Sequence, residues 1–280
     1  LQLIKISMDY SKIRLIVSDM DGTLLNSEHK VSDRFFEAFQ KLKKQEIKFA
    51  VASGRQYYSL MERMEPVKDE MIYIAENGAI VMEKGEERHL VPMKMDLVHQ
   101  IVKEVREIGG KYLILCGREQ AYIENDDPEF MEPFLNHYEK YKVVNDLLEV
   151  SDDVILKVTI CDLEGAEKNS LPHVEHFKDD LQVKLSGEIW IDFNDKEAQK
   201  GNALKALQEI LDISKEETMA FGDYLNDLEL FEHAEIGYAV ENAHPEVKEV
   251  AAYTTKSNDN FGVEIILEEL LERATVASEK

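Results

Sequence analysis

Short, branched apolar runs alternate along this chain with stretches in which apolar residues recur at three- and four-residue spacing. Ile13-Arg14-Leu15-Ile16-Val17 predicts a buried strand over 13–18. Ser32 then offers an N-cap to a helix reaching Gln45, with Phe35, Phe36, Phe39 and Leu42 on its apolar face. Ile47–Ala52 predicts a second strand, Gln56–Met64 a helix stopped by Pro66, and Met71–Ala75 a third strand. Strand and helix periods that alternate in this way indicate an α/β sheet.

The rhythm changes near residue 80. Ile80-Val81-Met82 and His89-Leu90-Val91 flank Glu83-Lys84-Gly85-Glu86, a hairpin signal. The pattern then predicts a helix (Met95–Ile108), strands (Tyr112–Cys116 and Ala121–Glu124), a helix (Glu129–Tyr138) and a strand (Ile155–Cys161). A helical stretch over 164–177 and paired strands (Val183–Leu185 and Ile189–Phe193) complete the region. Hairpins with two helices describe an α+β unit. Near Lys200 the βα rhythm returns, with a helix (Gly201–Leu211), a strand (Thr218–Phe221) and a helix (Leu225–Glu232). A strand (Ile236–Val240), a helix with Pro245 in its first turn (to Ala251) and a last helix (Val263–Arg273) follow. The expected architecture is a Rossmann-like, three-layer α/β core with a parallel sheet, built from 8–82 and 194–280, with an inserted α+β cap over 83–193. No internal repeat or low-complexity tract is visible.

Composition narrows the class. An apolar fraction of 44% over 280 residues suffices for a real core. No run approaches the roughly 20 apolar residues of a membrane span. Leu1–Ser7 is too short for a secretory signal, and the chain begins with Leu while Met8 directly precedes Asp9. Residues 1–7 are therefore expected to be an addition and are set aside. Cys116 and Cys161 make no CxxC pair, so neither a disulfide framework nor a structural zinc site is expected. The expected setting is reducing and cytoplasmic. A net charge of −24 disfavours nucleic acid and anionic membranes as partners. A small phosphate ester would need local compensation by a metal, Lys, Arg or helix N-termini.

Candidate chemistry gathers just past the predicted core strands. Asp19 and Asp21 follow the first strand, where open α/β sheets bind ligands, and Gly22 breaks the run. Buried there, carboxylates are costly without a compensating cation or substrate. Asp19 reads as a nucleophile and Asp21 as its acid/base partner; a plain turn is the bland alternative. A calcium loop fails, because its sixth and twelfth positions counted from Asp19 hold Leu24 and Lys30 rather than Gly and Glu. Ser53-Gly54-Arg55 precedes a helix and suits a phosphate oxygen, or is an ordinary cap. Lys200 stands at a helix start, where the dipole disfavours a cation; it neutralises phosphoryl charge or is merely solvated. Asp223, with Asp19, suits Mg²⁺, which takes one or two carboxylates and keeps waters. Asp227, four residues on, is better placed behind Asp223 or at a helix N-terminus.

In order, Asp19-x-Asp21-Gly22-Thr23-Leu24-Leu25, Ala52-Ser53-Gly54-Arg55, Lys200-Gly201-x-Ala203-Leu204 and Gly222-Asp223-x-x-Asn226-Asp227 resemble the four motifs of the haloacid-dehalogenase-like hydrolases. Asn242-Ala243, Ser257-Asn258-Asp259 and Gly262-Val263 are similar to the Cof-type sugar-phosphatase subfamily, as is the insert between the second and third motifs, a type-IIB cap. The resemblance covers residues 10–272. Departures are Leu230 where Met is common, Glu241 where Gly is common, and no Gly before Lys200. None removes a catalytic group.

The resemblance implies a Mg²⁺-dependent phosphatase acting through an aspartyl-phosphate on Asp19, with Asp21 protonating the leaving alkoxide and then activating water. It implies phosphate or substrate contacts from Asp19, Met20, Asp21, Gly22, Ser53, Gly54, Arg55, Lys200 and Asn226. Metal ligands would be Asp19, Asp223 and, through its carbonyl, Asp21, with Thr23 and Asp227 supporting them. The expected partner is a small phosphate ester, a sugar phosphate or a pyridoxal or flavin phosphate, bound by a monomer or weak homo-oligomer. A phosphosugar mutase and a non-catalytic phosphate sensor are the alternatives. In the cap, Lys157, His173, His176 and Trp190 are candidates to touch substrate, with Trp190 read as core, the two histidines as a surface pair and the other histidines as surface.

Overall fold

The computed structural model describes residues 10–278, with side chains described to Arg273; the expectation for residues 1–7 lies outside the described residues. Its strands are β1 (Leu15–Asp19), β2 (Lys48–Ala52), β3 (Ile72–Ala75), β4 (Ile80–Glu83), β5 (Glu86–Leu90), β6 (Tyr112–Gly117) and β7 (Ala121–Ile123). There follow β8 (Tyr141–Val143), β9 (Ile155–Cys161), β10 (Leu181–Gly187), β11 (Trp190–Asp195), β12 (Thr218–Gly222), β13 (Ile236–Ala239) and β14 (Tyr253–Thr254). The helices are α1 (Asp33–Lys44), α2 (Tyr57–Arg63), α3 (Met95–Ile108), α4 (Pro128–Leu135) and α5 (Ala166–Asn169). After them come α6 (Leu171–Val174), α7 (Lys200–Leu211), α8 (Leu228–Glu232), α9 (Pro245–Val250) and α10 (Gly262–Ser278). Among the described residues, no helix is long and apolar enough to cross a membrane.

Contacts divide the chain into two compact units, Leu1–Val51 with Gln208–Lys280, and Ala52–Leu207. In the first, strands follow the order β14-β13-β12-β1-β2, and β1/β12, β12/β13 and β13/β14 pair in parallel. Parallel strands covered on both faces read as continuous apolar runs, and all five residues of β1 and of β12 are buried. Ser32 caps α1 as its sequence predicts, its hydroxyl accepting from the Phe35 amide at 3.1 Å. The amphipathic face of α1 meets the sheet through Phe35, edge-on to Phe49 at 5.0 Å between ring centres.

The second unit holds the antiparallel run β3-β4-β5 and a six-stranded sheet in the order β10-β11-β9-β6-β7-β8. Lys84 and Gly85 turn the β4–β5 hairpin with φ of 55° and 77°, the two left-handed positions that match strand twist. Side chains on the larger sheet alternate between faces. Leu113, Leu115, Val158 and Ile160 join Val98, Ile101, Val102 and Val105 of α3 in one core cluster. Ile114, Cys116 and Cys161 join Phe130 and Phe134 of α4 in another. The expected helix over 164–177 is instead α5, α6 and a 3-10 turn, broken at Ser170 ahead of Pro172.

Candidate active site

In the first unit, β1 and β12 run side by side with Ser18 opposite Phe221, so Asp19 and Gly222 end at the same level. β2 flanks β1 on one side and β12 on the other, so strand order turns back between β1 and β12. Ligands of open α/β sheets bind at such a point. Asp19 is only 5% exposed.

The chain then folds tightly: the amides of Leu24 and Leu25 donate to the Met20 carbonyl at 3.1 and 2.8 Å. Gly22 has φ of 81°, and a Cβ there would lie 2.4 Å from Asp223 Oδ2, so this approach needs glycine. Thr23 Oγ1 donates to Asp223 Oδ1 at 3.0 Å. Asp227 is fully buried, and its Oδ2 accepts from the amides of Asp223 and Tyr224 at 3.0 and 3.2 Å. Asp19, Asp223 and Asp227 each offer a carboxylate oxygen within 4.8 Å of the others. Asp21 is half-buried, with the exposed His29 ring 3.9 Å away. The Met20 side chain is completely buried, which leaves only its main chain for a ligand.

Asn242, Asn258 and Asp259, which carry part of the Cof-type resemblance, brace this loop. Asn242 Nδ2 donates to the Gly22 carbonyl at 2.7 Å, and its Oδ1 accepts from the Asn258 amide at 3.1 Å. Asn258 Nδ2 reaches the Leu25 carbonyl at 2.9 Å, and Asp259 Oδ1 accepts from the Ser27 amide at 2.7 Å. The sequence signal is polar Asn and Asp in the loops that follow β13 and β14. Asn226 is half-buried beside exposed Tyr224 and Leu225.

Ser53, Gly54, Arg55 and Lys200 belong to the second unit. Ser53 Oγ accepts from the Arg55 amide at 3.2 Å. The Arg55 guanidinium is 7% exposed and donates through Nη1 to the Asn136 carbonyl at 2.9 Å. Gln56 continues this attachment, with Nε2 donating to the Lys140 carbonyl and Oε1 accepting from the amides of Glu139 and Lys140. Lys200 opens α7 and is 2% exposed.

Among the cap candidates, His173 and His176 are exposed, His176 lying 3.0 Å from Glu104, and Trp190 packs in the core. Several other histidines, among them His99 and His137, are half-buried rather than surface groups. Lys157 departs from the role of a substrate contact: it is 3% exposed, with Nζ 2.8 Å from Glu76 and 2.8 Å from the Gly54 carbonyl.

Residues 16–267 match the family model of the haloacid dehalogenase-like hydrolases. The chain belongs to this family. An Escherichia coli relative named 5-amino-6-(5-phospho-D-ribitylamino)uracil phosphatase YbjI is 29% identical, over 92% of this chain and 96% of that one. The crystal structure of TM0651 from Thermotoga maritima superposes with a TM-score of 0.82 at 30% identity, over 92% of this chain and 97% of that one. A protein described as the haloacid dehalogenase (HAD) subclass IIB sugar phosphatase BT4131 shares the fold, with a TM-score of 0.77 at 22% identity over 91% and 98% of the two chains. The fold is thus the α/β architecture of this family, a Rossmann-like core with an inserted α+β cap. Within the family frame, the three clustered carboxylates form an all-oxygen donor set that fits a hard divalent cation such as Mg²⁺. With Oδ2 engaged by two amides, Asp227 also orients the backbone that presents Asp223.

Proposed function

We propose that the protein is a Mg²⁺-dependent phosphatase that hydrolyses a small organic phosphate monoester through an aspartyl-phosphate on Asp19. The observation that carries this reading is the meeting of Asp19, Asp223 and Asp227 oxygens within 4.8 Å at the ends of adjacent parallel strands. Mg²⁺ bound there would supply charge neutralisation to the phosphoryl group. Asp19 and Asp223 would hold it, together with the carbonyl of Asp21, while Thr23 and Asp227 orient these ligands.

Asp19 Oδ attacks phosphorus, and the ester oxygen leaves as the Asp21 carboxyl gives it a proton. Asp21, now a carboxylate, takes a proton from the water that attacks the acyl phosphate. Inorganic phosphate departs and Asp19 is restored. The Ser53 hydroxyl, the amides of Met20, Gly22 and Gly54, Arg55, Asn226 and the Lys200 ammonium are assigned to the phosphoryl oxygens. Phosphoryl transfer depends mostly on such positioning and electrostatics. The core is assigned to residues 8–82 and 194–280, and substrate selection to a cap of residues 83–193.

A sugar phosphate or a sugar-alcohol phosphate is the substrate class, because the Escherichia coli relative is named for a phosphoribityl ester. Both cysteines are free and buried, which agrees with a reducing, cytoplasmic setting, and the net charge of −24 disfavours polyanionic partners. A monomer or weak homo-oligomer is the assigned state.

The test is phosphate release with and without Mg²⁺ across sugar phosphates, the phosphoribitylaminouracil, pyridoxal phosphate, flavin mononucleotide, nucleotides and p-nitrophenyl phosphate. Mg²⁺-dependent turnover is the expected result. Folded, Mg²⁺-loaded protein that releases phosphate from none of them would overturn the reading.

A further inference from the structure

Three consecutive main-chain carbonyls of the second motif are each bound from within the same unit. The Ser53 carbonyl accepts from the Asn77 amide and that of Arg55 from the Glu76 amide, both at 3.0 Å. The Gly54 carbonyl accepts from Lys157 Nζ at 2.8 Å. On the other side of that peptide plane, the Arg55 amide donates to Ser53 Oγ at 3.2 Å. The Gly54–Arg55 peptide is therefore gripped at both ends, by a buried ammonium and by the Ser53 hydroxyl. Space requires glycine here, because a Cβ on Gly54 would come within 2.7 Å of Asn77 Oδ1.

The ammonium sits in a built environment. Lys157 lies on β9, with Nζ 2.8 Å from Glu76 Oε2 and 3.9 Å from Asp192 Oδ2, and 5.7 Å from the centre of the Tyr138 ring. Asp192 Oδ1 accepts from Thr159 Oγ1 at 2.7 Å, and Asn77 Nδ2 donates to Asn194 Oδ1 at 2.9 Å. Burial works against the charge on Lys157, but Asp192 and Glu76 outweigh it and hold the ammonium protonated. Apolar residues of similar volume commonly replace a buried ion pair with no loss of stability. A cation kept here at the cost of desolvation, and aimed at a main-chain carbonyl, points to a local task.

We infer that Lys157 is a positioning residue for the Ser53 hydroxyl, acting through the Gly54–Arg55 peptide. By drawing on the Gly54 carbonyl it polarises the Arg55 N–H, since linked hydrogen bonds strengthen one another. That N–H occupies a lone pair of Ser53 Oγ and leaves the hydroxyl hydrogen to donate to a phosphoryl oxygen. This rests on the phosphate-binding role assigned to Ser53 above.

The test compares Lys157→Met, Ser53→Ala and the double variant, with Glu76→Gln/Lys157→Met as the charge-balanced substitute should the single change fail to fold. Each single variant should lower kcat/KM by about tenfold to a hundredfold, the range of a lost oxyanion donor or somewhat less. The double variant should fall no more than about twofold below Ser53→Ala, as expected when one group acts through another. Hydrogen exchange at the Arg55 amide, read by NMR, should quicken at least about tenfold in the Lys157 variants while amides in β6 stay protected. Losses that multiply in the double variant, or an unchanged Arg55 exchange rate, would overturn the inference. A wild-type protein without turnover would instead sink the phosphatase reading, and the exchange measurement would still decide whether Lys157 holds this peptide.

Discussion

Asp19 and Asp21 are two residues apart and are given different work, and their surroundings differ accordingly. Asp19 ends a buried strand beside two further carboxylates, whereas Asp21 stands half-buried on the turn that follows. Asp19→Asn keeps the shape and removes the proposed nucleophile. Turnover should fall by about 10⁴-fold or more with the melting temperature unchanged or raised; a folded variant that keeps its activity would remove the nucleophile assignment. Asp21→Asn should act differently. General acid catalysis contributes about 10²–10⁴-fold where the leaving group is a poor one. The loss in kcat/KM, which reports only the steps up to the aspartyl-phosphate, should therefore be large for alkyl phosphates and small for p-nitrophenyl phosphate, and equal losses in kcat/KM on both would show that Asp21 donates no proton. Asp19, Asp223 and Asp227, whose carboxylates the structure brings together, are legible in the sequence because the motifs that carry them are local in type and spacing. Lys157 stands out in the sequence as a cation in an apolar strand, but its partners Glu76 and Gly54 lie far away in sequence, and no local pattern names them.

At the scale of elements, sequence period predicted best where it was long. β9 and α3 occupy the ranges that their apolar spacing indicates. β8 and β14 were not foreseen: Tyr141–Val143 is exposed throughout and Tyr253–Thr254 has two residues, too few to show a period. The brace formed by Asn242, Asn258 and Asp259 also escaped, because a side chain's hold on a distant loop leaves no periodic trace. Its weight is testable. Asn242→Ala removes the bonds to the Gly22 carbonyl and from the Asn258 amide. On an exposed residue that should cost only about 1 kcal/mol of stability, while a loosened loop should lower kcat/KM about tenfold. Equal activity in the variant would show that the loop keeps its form without the brace.

The strand and turn elements around Asp162 carry a pH signature. Burial alone would raise this carboxyl, but Lys111 Nζ at 2.8 Å, Ser170 Oγ at 2.6 Å and the Glu164 amide at 3.1 Å hold it below the ordinary aspartate range. A depressed carboxyl stabilises the fold above its unfolded pKa, near 4, and that contribution is lost as pH falls through the folded value. Lys111→Met should cost about 3 kcal/mol at pH 7 by stranding a buried carboxylate. Without its cation, Asp162 shifts upward instead, and the variant gains stability as acid protonates it. The gap between the two proteins in urea unfolding should therefore narrow steadily from pH 7 to pH 4. A gap independent of pH would mean that lost packing, not charge, sets the cost.

Over the whole molecule, the net charge of −24 and the three carboxylates at the strand ends push in the same direction, toward mutual repulsion in metal-free buffer. Two remedies differ in kind. Monovalent salt screens exposed charges over about 10 Å at 0.1 M and should raise the melting temperature gradually and without saturation at a site. A cation held by Asp19 and Asp223 stabilises by mass action, about 2.7 kcal/mol when it stands at one hundred times its dissociation constant. At matched ionic strength Mg²⁺ should therefore raise the melting temperature above the value in NaCl, along a saturating curve. Asp223→Asn should abolish that excess, because the site loses a charged ligand. In chelator the same variant should be at least as stable as the wild type, since one of three crowded negative charges is gone and Thr23 Oγ1 can still donate to the amide oxygen. Thermal unfolding in NaCl, MgCl₂ and chelator separates the two effects without reference to catalysis. If Mg²⁺ and NaCl give superimposable curves, the carboxylate cluster is not a magnesium site, and the metal-dependent part of the proposed reaction falls with it.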